Sequence, residues 1–159
     1  MYLLDTNVIS ELRKLKPHGA VSAWIKTIPS PNLFVSAVSI GEIQAGIELT
    51  REQNQQKAME LETWLNQIIA TNQVLPLDAT RFKIWAKLMH RQSDTVNEDA
   101  MIAATAIHSK LIIVTRNIKD FKRFNVKLLN PLRRISYTTL FLRWRAIARL
   151  EVNAGDSKP

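Results

Sequence analysis

The chain has 159 residues, room for one continuous hydrophobic core and too few for two large ones. Hydrophobic residues make up 46%, which argues against wholesale disorder, and the absence of cysteine excludes disulfides, thiolate nucleophiles, zinc fingers and iron–sulfur clusters. Lysine plus arginine total 22 against 14 acidic residues, a net charge of +8 that favours a polyanionic partner, nucleic acid or an acidic protein, while many soluble proteins are mildly basic without one.

Tyr2-Leu3-Leu4 is a short apolar run stopped by Asp5-Thr6-Asn7, residues that favour turns and helix N-caps. This predicts a strand, a turn and a helix over 8–14. Pro17 and Gly19 break that helix, and a second short one is predicted over 20–28, ended by Pro29-Ser30-Pro31. Leu33-Phe34-Val35 is the next strand candidate. Ser39 stands three residues before Glu42, the spacing of a capping box, so a helix is predicted to open there. Over 54–71, Ala58, Leu61, Leu65 and Ile68 fall on one helical face with Trp64 beside them.

Val74-Leu75 is a weak strand, and Asp78 is placed to cap a helix running to about residue 92, with Phe82, Trp85, Ala86 and Met89 as its apolar stripe. The helix predicted over 97–109 is almost wholly apolar from Ala100 to Ile107. Leu111-Ile112-Ile113-Val114 is the clearest buried strand, stopped by Thr115-Arg116-Asn117. A short helix to about Phe124 and a strand over 126–129 follow, before Asn130-Pro131. Strands alternating with helices predict an α/β chain, a three-layer α/β/α sandwich around a mostly parallel sheet. In such sheets ligands lie at the carboxyl ends of the strands.

Glu48, Glu52, Glu60 and Glu62 sit in polar helical stretches and read as solvated surface. Asp5, Glu42 and Asp99 instead sit in apolar surroundings, where a lone carboxylate is costly unless something pairs with it. Each has a plain structural reading. Asp5 can turn the chain, Glu42 can complete the capping box, Asp99 beside Glu98 can complement the helix dipole, and Asp120 can cap the short helix after Asn117. Their joint placement at strand ends and first helical turns allows all four to converge on one sheet edge. Three or four clustered carboxylates repel unless a cation neutralises them. Oxygen ligands without thiolate suit Mg²⁺ or Mn²⁺, ions of phosphate-ester chemistry. The three histidines, His18, His90 and His108, show no metal-site spacing.

Four stretches in order resemble the PIN-domain ribonucleases, and within them the VapC and FitB-like toxins of bacterial toxin–antitoxin pairs. They are Leu4-Asp5-Thr6-Asn7-Val8-Ile9-Ser10-Glu11, Ser36-Ala37-Val38-Ser39-Ile40-Gly41-Glu42-Ile43, Glu98-Asp99-Ala100-Met101-Ile102-Ala103-Ala104-Thr105-Ala106 and Val114-Thr115-Arg116-Asn117-Ile118-Lys119-Asp120-Phe121. The resemblance covers about residues 2–132 and implies a Mg²⁺- or Mn²⁺-dependent endoribonuclease. It puts Asp5 and Asp99 at the principal metal positions and Glu42 at the third acidic one. Thr6 and Thr115 fall among the polar residues lining the pocket, with Asn7 beside them. Many relatives carry Asp where this chain has Asn117, and Asp120 follows three residues later, so for the fourth acidic position these two rank below the other three. Water would attack phosphorus and the 3′ oxygen leave, giving a 5′-phosphate and a 3′-hydroxyl. Arg116, with Lys119 and Lys122 nearby, can contact a backbone phosphate or form a solvated basic rim. A small antitoxin protein and a homodimer, or a hetero-oligomer with the antitoxin, are further implications, the homodimer often formed through helices between residues 39 and 72.

Residues 133–159, past the family's usual end, hold six basic and two acidic side chains. Leu140, Phe141, Trp144, Ile147 and Ala148 follow helical spacing opposite Arg134, Arg145 and Arg149, which predicts a basic amphipathic helix with a polar end. No apolar run approaches the roughly 18 residues of a membrane span, and the first residues do not resemble a signal peptide, so a cytoplasmic protein is expected. Two other readings keep the fold: a nucleic-acid-binding module without catalysis, and a DNA nuclease. A phosphatase of the haloacid-dehalogenase type needs a second Asp two residues after the first, where this chain has Asn7.

Overall fold

A computed structural model describes residues 1–132, so the helix expected over 133–159 lies outside the described residues. The elements follow the predicted alternation. Strand β1 (Tyr2–Leu4) leads into α1 (Thr6–Leu12) and α2 (Gly19–Lys26), and β2 (Leu33–Ser36) into the long helices α3 (Ala37–Gln53) and α4 (Gln55–Thr71). Strand β3 (Gln73–Leu75) precedes the pair α5 (Ala79–Leu88) and α6 (Asn97–Ser109). Strand β4 (Ile112–Val114), α7 (Ile118–Phe121) and β5 (Leu128–Leu129) complete the described fold.

The five strands form one sheet in the order β3-β2-β1-β4-β5, parallel throughout. Consecutive residues alternate faces, as a pleat requires. Leu3, Phe34 and Ile113 pack on one side beneath α5, α6 and α7, with Ala100, Ile102, Ala103 and Phe121. Leu4, Val35 and Val114 pack on the other beneath α1 to α4, with Val8, Ile9, Val21 and Trp64. The architecture is the expected α/β/α sandwich. Strand order reverses beside β1: the chain moves outward through β2 and β3, then returns to lay β4 against the other edge of β1. The carboxyl ends of β1 and β4 therefore form the topological switch point, where a ligand crevice belongs.

Helix α1 runs from Thr6 to Leu12 rather than over 8–14, and β5 spans Leu128–Leu129 rather than 126–129; three further predicted details differ. Helix α3 starts at Ala37, because Ser36 ends β2 with extended backbone and its hydroxyl accepts from the Val38 N–H at 3.2 Å. The expected Ser39–Glu42 capping box is thus replaced by a Ser36 cap, which leaves Ser39 buried and Glu42 in the second turn. Helix α5 ends at Leu88, and Arg91 takes a left-handed φ of 61° that carries the chain toward α6. Of the stripe predicted for α5, Trp85 and Met89 pack against the core, while Phe82 does not. Arg81 is buried, bonded to Asp78 and to the Ser109 hydroxyl, and the Trp85 indole donates to Asn97 Oδ1 at 3.0 Å. Phe82 is left 45% exposed. Polar anchors to α6, and not the apolar stripe alone, set the rotation of this helix.

Candidate active site

The switch point is built on Asp5, the first residue beyond β1. Its N–H donates to the Val114 carbonyl at 3.0 Å, extending the β1–β4 ladder by one bond. Its carbonyl then accepts from Val8 and Ile9, opening α1, and its carboxylate Oδ1 accepts from the Thr6 N–H at 2.8 Å as the N-cap. The turn-and-cap reading of Asp5 therefore holds together with its placement at the crevice. The second oxygen, Oδ2, accepts from Thr115 Oγ1 at 2.6 Å and from the Asn7 amide. Thr115, the first residue beyond β4, has its hydroxyl fully used: it donates to Asp5 and accepts from Asn7 Nδ2 at 3.1 Å and from the Asn117 N–H at 2.9 Å. Asn7 is held in turn by the Arg116 N–H, which donates to its Oδ1 at 3.2 Å.

Glu42 reaches the crevice from α3, where its Oε2 accepts from Thr6 Oγ1 at 2.5 Å. Thr6 thus bonds Asp5 through its backbone and Glu42 through its side chain, tying the two carboxylates to one residue. Asp99 enters from the first turn of α6, where the helix N-terminus favours an anion. Asp120 lies in α7 and accepts from the Asn117 side-chain amide.

Electrostatics show which of these groups face one another. Burial raises Asp5 to about 6 against its ordinary 3.8; the Thr115 and Thr6 bonds and the Arg116 charge oppose that rise, and the Asp99 charge adds to it. Burial also raises Asp99 to about 6, helped by the charges of Asp120, Glu42 and Glu98 and opposed by Arg123. Glu42 is raised by burial and by Asp5 and Glu98, against the Thr6 bond. Asp99 thus lies in the fields of Glu42 and Asp120, Asp5 in that of Asp99, and Glu42 in that of Asp5, which links the four carboxylates at the sheet edge. They are not packed into a closed cage: among the described residues no three acidic or imidazole side chains close together on one point.

The donor set suits a hard divalent cation, which takes oxygen ligands and commonly keeps several waters beside one or two carboxylates. The raised pKa values come first from burial and then from neighbouring carboxylates, a charge deficit that a divalent ion would offset.

The remaining predicted residues line the same rim. Asn117 is exposed and bonded to Asp120; Arg116 is anchored to a carboxylate the sequence reading did not single out, Glu11. Glu11 lies in α1 with only 5% of its side chain exposed. It accepts from Lys14 Nζ at 2.7 Å, Arg116 Nη1 at 3.0 Å and the His18 N–H at 3.0 Å. The Lys14 and His18 bonds, with the cationic charges, hold its carboxyl below the usual range. A glutamate on the inward face of α1, beside Val8, Ile9 and Leu12, was the available signal.

A family model described as PIN domain matches residues 2–127. The chain is 33% identical over 138 residues to the VapC ribonuclease Y4jK of Sinorhizobium fredii, covering 82% of this chain and 97% of that protein. It is 32% identical over 138 residues to the toxin FitB of Neisseria gonorrhoeae, covering 82% and 98%. The crystal structure of FitAcB from Neisseria gonorrhoeae superposes with a TM-score of 0.73 at 30% identity, covering 84% of this chain and 99% of that one.

Proposed function

The chain belongs to the PIN-domain family, and we propose that it is a metal-dependent endoribonuclease acting as the toxin of a toxin–antitoxin pair. The observation that carries this reading is the gathering of Asp5, Glu42, Asp99 and Asp120 at the β1–β4 switch point, with Asp5 and Asp99 both raised to about 6. Relatives named ribonuclease and toxin, matched over nearly their whole length, support it.

Asp5, Asp99 and Glu42 would share Mg²⁺ or Mn²⁺, one or two of them directly and the rest through water, since among the described residues no three close on one point. When bound, such an ion polarises a phosphoryl oxygen and lowers the pKa of water. The chain's own residues supply position. Thr115, Thr6 and Asn7 fix the Asp5 carboxylate from three directions, and Thr6 fixes Glu42. Asp120, aligned by Asn117, adds a further acceptor facing Asp99. Attack by water on phosphorus with the 3′ oxygen leaving would give a 5′-phosphate and a 3′-hydroxyl. No helix of the described residues is long and apolar enough to cross a membrane, and a cytoplasmic site of action belongs to the same reading. A small antitoxin protein would occlude the acidic crevice, and a homodimer or a hetero-oligomer with that antitoxin is the expected assembly.

The test incubates the purified chain with transfer RNA, messenger RNA and single-stranded DNA, in Mg²⁺, Mn²⁺ or EDTA, and maps the new ends. Cleavage of RNA to 5′-phosphate ends, lost in EDTA and in Asp99→Ala, is expected. Cyclic phosphates, or full activity in EDTA, would overturn the mechanism. DNA-only cleavage, or binding without cleavage, would favour the other readings of the fold. Inducible expression should arrest growth, and co-expression of a small protein encoded beside it should relieve the arrest.

A further inference from the structure

Glu11 is the buried carboxylate that the proposed chemistry leaves unused. Its Oε2 bridges two cations, Lys14 Nζ at 2.7 Å and Arg116 Nη1 at 3.0 Å, while the His18 N–H occupies Oε1 at 3.0 Å. The anion is hidden, with 5% of its side chain exposed, whereas Lys14 is 55% and Arg116 38% exposed. The trio therefore shows solvent one net positive charge with its anion turned inward. Among the described residues, the side chains of Lys14 and Arg116 bond no other acceptor. An ammonium has three N–H donors and a guanidinium five, so most of their donors stay free. Arg116 also belongs to the crevice: it directly follows Thr115, its backbone N–H holds Asn7, and its charge bears on Asp5.

An acidic crevice repels the phosphates it is meant to receive, so cations on its rim must offset that repulsion. Long cationic side chains lose rotamer freedom when they grip a phosphate, and a group that orders them beforehand lowers that cost. We propose that Glu11 is a positioning residue for RNA, holding Arg116 and Lys14 as a preformed phosphate clasp beside the carboxylate crevice. This rests on the endoribonuclease reading above and assigns the substrate backbone its docking point. By charge alone Glu11 opposes RNA; as an anchor it favours RNA. The two effects have opposite signs, which makes them separable.

Glu11→Gln in the full chain adds one positive charge and removes both ion pairs of the clasp. Binding of a single-stranded RNA oligonucleotide is measured in EDTA, where no cleavage competes, and steady-state cleavage is measured in Mg²⁺. The clasp predicts about tenfold weaker binding in Glu11→Gln, seen as a raised KM with kcat little changed. Glu60→Gln adds the same charge on the exposed surface of α4 and leaves both measurements unaltered. In a Lys14→Ala, Arg116→Ala background, Glu11→Gln has no further effect, because the cations it positions are gone. Circular dichroism checks the fold. Should Glu11→Gln not fold, Glu11→Asp keeps the charge but withdraws the carboxylate by one methylene, and the same weaker binding is expected. Unchanged or tighter RNA binding, or an equal loss in the double-alanine background, overturns the proposal. Absence of RNA cleavage by the unaltered chain overturns the ribonuclease reading instead, and the binding measurement still decides the clasp.

Discussion

Replacing Asp5 by Asn should stabilise the ion-free protein while abolishing cleavage. Asp5 is raised from 3.8 to about 6 by burial. As pH climbs through that interval the unfolded chain releases the proton first, so the native state loses stability across the window and has lost it fully above it. At about 1.4 kcal/mol per pH unit, the buried anion costs the fold about 3 kcal/mol at pH 7. Asparagine carries no charge but offers one acceptor where the carboxylate has two. An NH₂ at the Oδ1 position faces the Thr6 N–H; at the Oδ2 position it faces the Asn7 amide, while the Thr115 hydroxyl can turn to accept from it, a loss of about 1 kcal/mol either way. The net expectation at pH 7 is a gain of about 2 kcal/mol, or roughly 4–8 °C in Tm for a chain of this size. The assay is thermal unfolding of both proteins in EDTA at pH 7.5 and pH 3.5. The advantage of Asp5→Asn should vanish at the lower pH, where the original carboxyl is neutral as well. Mg²⁺ or Mn²⁺ should then raise the Tm of the unaltered protein and leave the variant's unmoved. A variant less stable than the original at pH 7.5, or a difference independent of pH, would refute the premise that Asp5 is an uncompensated buried anion.

Other outcomes follow from single contacts. Thr6→Val removes the 2.5 Å bond to Glu42 at nearly constant volume, and cleavage should fall by about 10–100-fold with Tm almost unchanged, read by initial rates beside a melting curve. The Ser39 hydroxyl is fully buried and finds no acceptor or donor among the described residues, so Ser39→Ala should be neutral or stabilising by up to about 1 kcal/mol in urea unfolding. Trp85→Phe breaks the 3.0 Å indole bond to Asn97, which anchors α5 two residues before Asp99. It should cost about 1 kcal/mol and speed amide exchange at the start of α6.

How much of this was legible beforehand divides along the range of the interactions. Periodicity and turn chemistry are local, so the order of strands and helices was readable from apolar runs and their Asp, Asn, Pro and Ser stops. The pleat then forces Leu3 and Leu4, or Ile113 and Val114, onto opposite faces. The acidic residues at the crevice were readable for a related reason. A carboxylate in an apolar stretch, at a strand end or in a first helical turn, is placed where only a partner can justify it. Asp5 carried both of its roles openly, since the same geometry that caps α1 aims its second oxygen into the crevice.

Long-range pairing was not readable. The Ser39–Glu42 spacing matched a capping box, yet Ser36 was closer to the end of β2 and took the cap, while Thr6, 36 residues away in the chain, claimed Glu42. Glu11 was marked only by its place on the inward face of α1, and its partner Arg116, 105 residues distant, meets it only on folding. In α5 the outward turn of Phe82 followed from hydrogen bonds to Asn97 and Ser109 that no helical wheel contains. Composition and local pattern determined the layers, the sheet and which carboxylates were out of place. Tertiary structure decided which donors meet them, because a hydrogen bond or an ion pair forms only over a few ångströms and chain separation says nothing about that distance until the strands are paired.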